Sequence, residues 1–284
     1  MKGMILAAGL GTRLRPLTDT TPKALVELGG RTLLEITIHR LKSFGVAEFI
    51  INIHHHAEKI VSFLHAKNNF GVRIEISRED DLLLDTGGGL KKASWFFLEG
   101  NSQEPFVLHN VDVLSSIDLR QMLEAHKKSS SLATLAVMRR PSSRQLLFDQ
   151  NNFLTGRRIK NVDTLVSSTS AKLATPETRH FEPATADEKS ASFSSSFTPS
   201  ALSEGPLATR HSPLAFCGIH VISPRLLPLI TESGVFSIID TYLRLAAAGE
   251  RISAFRADSF YWRDLGRIED FREATVDFER KLIT

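Results

Sequence analysis

Short apolar runs alternate with segments whose apolar residues recur every three or four positions. Residues 4–6 form the first such run, and Leu34, Ile38 and Leu41 then share one face of a predicted helix that ends before Gly45. Further helices are predicted at about 57–67, 87–97 and 118–127, and strands at 48–53, 72–77, 105–108, 132–138 and 145–148. This order predicts an α/β fold, Rossmann-like and doubly wound, with a mixed, mainly parallel sheet that binds ligands at the carboxyl ends of its strands.

The alternation stops between about residues 162 and 213. This stretch is rich in Ser, Thr, Ala, Pro and charged residues, so it predicts a long, largely disordered insertion. We interpret it as a surface excursion in preference to a mobile lid. Strands are predicted again at 214–222, 252–256 and 260–262. A helix that begins at about residue 238 and ends near Gly249 is also predicted, as is a final helix at 268–282. We therefore expect one domain over residues 1–284, interrupted by the insertion.

The composition of the 284-residue chain is that of an ordinary globular protein. It is 42% hydrophobic with a net charge of only +3, so a pI of about 9.0 is weak support for a nucleic-acid partner, and none is expected. No apolar stretch reaches the roughly 18 residues that span a bilayer, and the first strand leads directly into the glycine loop and not into a cleavage site. We expect a cytoplasmic protein without a membrane partner. Cys217 is the single cysteine, and its apolar neighbours favour a buried structural thiol.

The first strand leads directly into a glycine loop that carries cations. Gly9 and Gly11 lack a Cβ and allow backbone N–H groups to approach phosphates, while Arg13 and Lys23 add positive charge. The spacing fits neither a dinucleotide fingerprint, which would need a glycine at Leu14, nor a Walker A loop. A tight turn with solvated charges is the alternative interpretation.

Two aspartates follow predicted strands. Asp112 follows the strand at 105–108 and Asp264 the strand at 260–262, where each could ligate a hard cation such as Mg²⁺ or accept backbone hydrogen bonds. Gly87, Gly88 and Gly89 open a helix, where they permit close approach of a ribose or base, or simply form a glycine-rich turn. His54, His55 and His56 are unsuited to one metal because neighbours at a strand end point to opposite sides.

Residues 6–23 match every fixed position of the pattern Leu-Ala-Ala-Gly-x-Gly-Thr-Arg-Leu-x-Pro-Leu-Thr followed by Pro-Lys. The chain therefore resembles the sugar-1-phosphate nucleotidyltransferases. Asn110-Val111-Asp112 resembles the Asn-Gly-Asp motif of that family, with Val111 replacing the glycine. The segment from Trp262 to Gly266 matches the family's Trp-x-Asp-x-Gly motif, although Arg267 stands where threonine is frequent. Residues 85–89 resemble its Glu-Thr-Gly-Gly-Gly element, with Asp85 in the acidic position.

The resemblance implies a GT-A-like fold and transfer of a nucleoside monophosphate from an NTP to a sugar 1-phosphate, with release of pyrophosphate. It implies that Asp112 and Asp264 hold Mg²⁺, that Arg13 contacts the β- and γ-phosphates, and that Lys23 lies nearer the α-phosphate. Asn110 and Gly218 are the implied sugar contacts, together with His109. The implied nucleotide contacts are Leu6, Ala7, Ala8, Gly9, Gly11, Thr12, Arg13, Lys23, Asp85, Thr86, Gly87 and Gly88.

Base and sugar remain open at this stage. The short chain and residues 85–89 favour an enzyme like the N-acetylmuramate-1-phosphate uridylyltransferases, using UTP and serving cell-wall synthesis. Mannose- or heptose-1-phosphate guanylyltransferase, phosphocholine cytidylyltransferase and a non-catalytic regulator that binds nucleotide sugars are the alternatives. We expect no C-terminal left-handed β-helix, and the sequence does not indicate an oligomeric state.

Overall fold

The computed structural model describes residues 1–166 and 211–279. Its strands are β1 (Lys2–Leu6), β2 (Glu27–Leu28), β3 (Arg31–Thr32), β4 (Glu48–Ile53), β5 (Arg73–Arg78), β6 (Phe106–Asn110), β7 (Val113–Ser115), β8 (Ala133–Met138), β9 (Arg144–Phe148), β10 (Leu154–Ile159), β11 (Val162–Leu165), β12 (Ser212–Ile222), β13 (Ile252–Arg256) and β14 (Trp262–Asp264). Its α-helices are α1 (Leu33–Ser43), α2 (Ala57–Ala66), α3 (Asp85–Lys92), α4 (Ser94–Leu98), α5 (Leu119–Ser129), α6 (Ile238–Ala247) and α7 (Ile268–Glu279).

One ten-stranded sheet organises these elements. Its main path runs β11-β10-β9-β12-β6-β1-β4-β5, and β8 joins through β12 and carries β13. The strands from β6 through β1 and β4 to β5 are parallel, whereas β12 is antiparallel to β6. The carboxyl ends of β1, β4 and β6 therefore meet at one edge, beside β12. This arrangement confirms the predicted α/β fold with a mixed, mainly parallel central sheet.

Both faces of the sheet are buried. Ile5 and Ile51 point to a core shared with α1, α2, α5 and α7, while their neighbours Met4 and Ile50 point to a core shared with α3, α4 and α6. Successive residues of a strand face opposite sides, so strands covered on both faces are continuous apolar runs. This explains why β1 and β4 are recognisable in the sequence as apolar runs without alternation.

Several predicted boundaries differ from the structure. The helix predicted at 87–97 is two helices, α3 and α4, which meet at Ala93. The strand predicted at 260–262 begins only at Trp262. The hairpin of β2 and β3 and the strands β7 and β10 have no counterpart in the sequence prediction. The predicted final helix is described as far as Glu279, and residues 280–282 lie outside the described residues.

The predicted insertion is wrong at both edges. Residues 162–165 form β11, which pairs with β10 through a turn where Lys160 and Asn161 have positive φ angles of 48° and 68°. Ser212 and Pro213 already belong to β12 and pair with β9. These short segments are ordered by pairing with a neighbouring strand, which their composition does not reveal. Residues 167–210 of the predicted insertion lie outside the described residues.

Within residues 1–166 and 211–279, none of the helices combines the length and the apolar character needed to cross a membrane.

Candidate active site

The loop after β1 is held in shape by its own contacts and by β4. The N–H of Ala7 donates to Asn52 Oδ1 at 2.8 Å, and the Thr18 hydroxyl donates to the Gly11 carbonyl at 2.7 Å. Gly11 has a φ of +65°, and a Cβ there would lie 2.9 Å from Thr18 Cγ2, so both conformation and space require glycine. A Cβ on Gly9 would meet no atom within 4 Å. The backbone at Gly9 therefore faces open space.

Lys23 reaches the first of the two candidate carboxylates. It begins a short 3-10 helix after Pro22, is only 8% exposed, and forms an ion pair through Nζ with Asp112 Oδ2. Asp112 follows β6, and the N–H of the preceding Val111 donates to the Leu6 carbonyl at 3.1 Å. The ends of β1 and β6 thus bring a cation and an acid together.

The second candidate carboxylate, Asp264, lies on a separate two-stranded sheet. β14 pairs antiparallel with β7, which places Asp264 opposite Val113, and the Leu265 N–H donates to the Asp112 carbonyl at 2.8 Å. Burial and the neighbouring charge of Asp112 raise the pKa of Asp264, while Lys23 and Arg13 act in the opposite direction. Asp112 and Asp264 are therefore close enough to repel each other.

Arg13 also lies at this carboxylate pair. A Cβ on buried Gly266 would come within 2.8 Å of both Arg13 Nη2 and Asp264 Oδ1, so the glycine leaves room for the guanidinium and the acid. Asp264 Oδ1 is buried and has no hydrogen-bond partner among the described residues. Such an oxygen is suited to a ligand that the protein itself does not supply.

A cleft of about 370 Å³ opens beside this cluster. The predicted contacts that line it are Leu6, Ala7, Ala8, Gly9, Lys23, Asp85, Thr86, Asn110 and Asp112. Gly11, Thr12 and Arg13 stand outside the wall of the cleft. Its remaining lining residues are Asn52, Glu79, Leu83, Val111 and Val235. The sequence analysis did not assign these five to the site.

Asn52 and Glu79 connect three parts of the cleft wall. Asn52 Nδ2 donates to Glu79 Oε1 and the Leu84 N–H donates to Glu79 Oε2, each at 2.8 Å, while Asn52 Oδ1 accepts from Ala7. Asn52 and Glu79 are 3% and 1% exposed. A polar residue inside the otherwise apolar run of β4 is the one local signal for Asn52, and nothing near Glu79 in the sequence marks it.

The glycines at the start of α3 serve helix packing. A Cβ on Gly87 would overlap the Phe236 ring at 2.3 Å, and one on Gly88 would lie 2.5 Å from the Gly234 carbonyl oxygen. The Gly87 N–H donates to the Phe236 carbonyl at 2.9 Å. Both residues are buried under the 234–238 segment, and their N–H groups point to the Phe236 carbonyl, so nucleotide contacts at Gly87 and Gly88 stay a prediction. Asp85 and Thr86 remain at the cleft.

Of the three predicted sugar contacts, one lines the cleft and the other two lie behind it. Asn110 lines the cleft, and its Oδ1 is buried without a partner among the described residues. Gly218 has a φ of +75°, and a Cβ there would lie 3.0 Å from Asn110 Nδ2, so this glycine makes room for the amide. His109 is fully buried, donates through Nδ1 to the Asn110 carbonyl at 2.7 Å, and burial lowers its pKa to about 4. His109 therefore lies beneath the cleft as a neutral ring.

The carboxylate pair fits a magnesium ion. Within the described residues no group of three or more His, Cys, Asp or Glu side chains is arranged to hold a metal. Mg²⁺ in phosphoryl-transfer sites takes one or two carboxylates and completes its shell with water and substrate phosphates, so Asp112 and Asp264 with the unpaired Oδ1 are a suitable donor set.

Comparison with known proteins decides the family. The model of the family described as nucleotidyl transferase matches residues 2–148, which include the glycine loop, Lys23 and Asp112. The chain belongs to the nucleotidyl transferase family.

Two relatives of the chain have names that describe nucleotidyl transfer to a sugar 1-phosphate. The chain is 25% identical to the UTP–glucose-1-phosphate uridylyltransferase of Synechocystis, over 96% of this chain and 62% of that protein. It is 42% identical to the N-acetylmuramate alpha-1-phosphate uridylyltransferase of Caulobacter vibrioides, over 38% of this chain and 44% of that protein. The chain thus matches less than two thirds of the length of either relative.

A solved structure supports the fold assignment. HddC from Yersinia pseudotuberculosis, complexed with GMP-PN, superposes with a TM-score of 0.66 at 18% identity, over 98% of this chain and 99% of that chain. The likeness confirms the GT-A-like, single-domain α/β fold of the chain.

Proposed function

We propose that this protein transfers a nucleoside monophosphate from an NTP to a sugar 1-phosphate, which yields an NDP-sugar and pyrophosphate. The observation that carries the proposal is the meeting of Asp112 and Asp264 beside Lys23 and Arg13, at the edge of a cleft walled by the glycine loop. Two acids and two cations at the end of parallel strands form a site for a polyanion and a divalent cation.

In the proposed reaction an oxygen of the sugar phosphate attacks the α-phosphorus of the NTP in line. A new P–O bond forms as the bond to pyrophosphate breaks, so no covalent enzyme intermediate is needed. Lys23 neutralises the α-phosphate and the attacking phosphate, and Arg13 the leaving pyrophosphate. The N–H groups around Gly9 approach the triphosphate. Catalysis then consists of positioning and charge stabilisation.

Asp112 and Asp264 are the residues that would hold Mg²⁺ in this proposal. When bound, the ion supplies positive charge against the phosphate oxygens. Lys23 pairs with Asp112 and thereby fixes the direction of that carboxylate. Gly266 leaves Arg13 and Asp264 free to lie side by side.

The substrate pair that we favour is UTP and N-acetylmuramate 1-phosphate. The 42% identity to the relative of that name and the acidic Asp85 at the cleft support this choice. Mannose- or heptose-1-phosphate with GTP, and phosphocholine with CTP, are the alternatives. We further propose that the protein acts in the cytoplasm, where NTPs are available, in nucleotide-sugar synthesis for the cell wall.

A panel experiment tests the reaction. Pyrophosphate release is measured with UTP, GTP, CTP and TTP, each combined with a set of sugar 1-phosphates and with phosphocholine, in the presence of Mg²⁺. Release with one pair supports the proposal and names the substrates. Val111 lines the cleft where the family glycine is expected, which favours a regulator as the second candidate. Thermal stabilisation by nucleotide sugars without release for any pair would support the regulator.

The carboxylate assignment is tested by Asp112→Asn. We expect turnover to fall at least about 100-fold, because a principal electrostatic element is lost. The circular dichroism spectrum is expected to stay unchanged. Glu124→Gln, an equivalent change at an exposed position of α5, is the control and is expected to keep full activity. Near-normal pyrophosphate release by Asp112→Asn would contradict the assignment.

A further inference from the structure

A second cleft, of about 510 Å³, lies beside the strands β9 and β10 and the beginning of α6. We call it the arginine cleft, because Arg140, Arg144, Arg157 and Arg158 line it together with a single acid, Asp240. Serine and glutamine side chains and a few apolar residues form the rest of its wall. Its volume is in the range of small-molecule sites.

The positive charge of the arginine cleft is only partly neutralised. Arg157 pairs with Asp240 at 2.8 Å, and Arg158 pairs with Asp163. Among the described residues, Arg140 and Arg144 have no acid within ion-pair distance. The Arg140 Nε is buried without a hydrogen-bond partner there. No described acid therefore neutralises the charge of either guanidinium group, although Arg140 already donates one hydrogen bond to the Phe216 carbonyl.

The arginine cleft adjoins the proposed catalytic site. The Arg140 guanidinium lies 4.1 Å over the Trp262 ring, and its Nη2 donates to the Phe216 carbonyl at 2.8 Å. Trp262 Nε1 in turn donates to the Cys217 carbonyl at 2.8 Å, and Trp262 belongs to the same short strand as Asp264. Asp264 is near enough for its charge to raise the pKa of Arg140, against the lowering by burial.

The segment from Val235 to Asp240 runs from the first cleft to the arginine cleft. Val235 lines the first cleft, whereas Ser237 and Asp240, a few residues further on, line the arginine cleft. Phe216 lines the arginine cleft, and Gly218, two residues later, packs against Asn110 of the first cleft. A molecule whose phosphate lies at Lys23 and Asp112 can thus extend toward the arginines.

We propose that the arginine cleft binds a carboxylate on the sugar of the acceptor, so that the preferred substrate is an acidic sugar 1-phosphate. The inference rests on the proposed nucleotidyl transfer and adds the subsite that would recognise an acidic acceptor. A neutral hexose offers only hydroxyl groups, for which serine, asparagine and backbone groups suffice. Guanidinium groups bind carboxylates through two parallel hydrogen bonds with charge assistance, which is the recognition that Arg140 and Arg144 are equipped to provide.

The effect of the carboxylate is measured with pairs of acceptors, of which one member carries a carboxylate and the other does not. Glucuronate 1-phosphate is compared with glucose 1-phosphate, and N-acetylmuramate 1-phosphate with N-acetylglucosamine 1-phosphate, each with the best NTP. We expect kcat/KM to be at least about 10-fold higher for the acidic member of at least one pair, mainly through KM, because a charge-assisted bidentate contact is added. The preference is expected to shrink in high salt.

The variant Arg144→Gln tests whether the arginine cleft causes the preference for the acidic acceptor. It is expected to bring the ratio of the two kcat/KM values in the preferred pair close to 1. Arg225→Gln is the control, because Arg225 is exposed after the end of β12 that pairs with the start of β6, at the opposite edge of the sheet. This control is expected to retain the preference in full.

Two failures can be told apart. Equal kcat/KM within both pairs, or a preference that Arg144→Gln leaves intact, would overturn the inference while nucleotidyl transfer stands. Absence of pyrophosphate release with every acceptor would instead remove the proposed function on which the inference rests. Calorimetric titration of Asp112→Asn protein with the paired acceptors measures acid recognition without turnover, and equal affinities there would also overturn the inference.

Discussion

Gly9 and Gly11 belong to one loop but are required for different reasons. Gly11 needs a positive φ and has Thr18 and Lys23 packed against it, so the folded chain alone explains it. Gly9 has an ordinary φ, an exposed backbone and no neighbour within 4 Å of a would-be Cβ. Nothing inside the protein explains a glycine at this position, whereas a phosphate in the cleft would.

This distinction predicts the behaviour of Gly9→Ala. The midpoint of thermal unfolding is expected to stay within about 2 °C of the parent value, since the new methyl group meets no atom and surface changes have small effects. KM for the NTP is expected to rise at least about 10-fold, because the methyl group occupies the space of a phosphate. Leu10→Ala, at the adjacent exposed position, is the control. An unchanged KM in Gly9→Ala would show that the triphosphate lies elsewhere.

Charged residues and glycines at the ends of strands were the residue-level signals of the sequence. Lys23 and Asp112 were singled out from charge and position after strands, and the structure pairs them. Gly87 and Gly88 were assigned to ligand contact because glycines permit close approach. The approaching group is Phe236, far along the chain. A glycine in the sequence indicates that another group can approach the backbone closely, but it does not show whether that group is a ligand or a side chain of the protein.

At the scale of elements, the segment between β5 and α3 is attached to the glycine loop by side chains. Asn52 bonds to Ala7 on one side and to Glu79 on the other, and Glu79 also accepts from Leu84. Buried polar groups joined in this way hold each other in one arrangement, because any partner left unpaired is strongly unfavourable. The position of Asp85 at the cleft depends on this connection.

The variant Asn52→Ala is expected to lower the free energy of unfolding by about 1–3 kcal/mol, since it leaves the Ala7 N–H and Glu79 Oε1 without partners. It is also expected to raise KM for the NTP, because two walls of the cleft lose their link. Urea denaturation and initial-rate kinetics measure the two effects. The exposed Asn151→Ala change is the matched control. Wild-type KM in Asn52→Ala would mean that the link is not needed for nucleotide binding.

The strands that the sequence did not predict form because they pair with a strand distant in sequence or with a neighbour across a turn. β7 has three residues and is a strand because β14 pairs with it. β10 and β11 carry Arg157, Arg158 and Asp163, so their polarity hides the hairpin. The apolar strands β1, β4 and β6 were predictable because burial on both faces leaves a clear apolar run. The parallel central strands could therefore be predicted from the sequence, whereas the arginine cleft beside the antiparallel strands β9 and β10 could not.

At the scale of the whole molecule, three buried histidines make stability depend on pH. Burial lowers the pKa of His109 and His126 to about 4 and that of His220 to about 3. The unfolded chain takes up these protons near pH 6.5, whereas the folded chain resists them. The histidines therefore favour the folded state fully above about pH 6.5, and this contribution is lost as the pH falls toward 4.

We expect the free energy of unfolding to decrease between pH 7 and pH 5, and His126→Gln to weaken that decrease. The difference in slope is expected to approach about 1.4 kcal/mol per pH unit, the effect of one proton bound only by the unfolded chain. Urea denaturation of both proteins at pH 7, 6 and 5 provides the measurement, and comparing slopes cancels other groups, Asp264 included. Identical slopes would show that His126 titrates normally in the folded protein.

The small sheet of β7 and β14 also has a consequence for how the protein is made. During synthesis the glycine loop, Lys23 and Asp112 leave the ribosome well before Trp262–Asp264, and a domain generally folds as one unit. Until β14 pairs with β7, a nascent chain has the phosphate loop and one acid but lacks the second. The carboxylate pair of the proposed site is therefore complete only late in translation, once β14 has paired with β7.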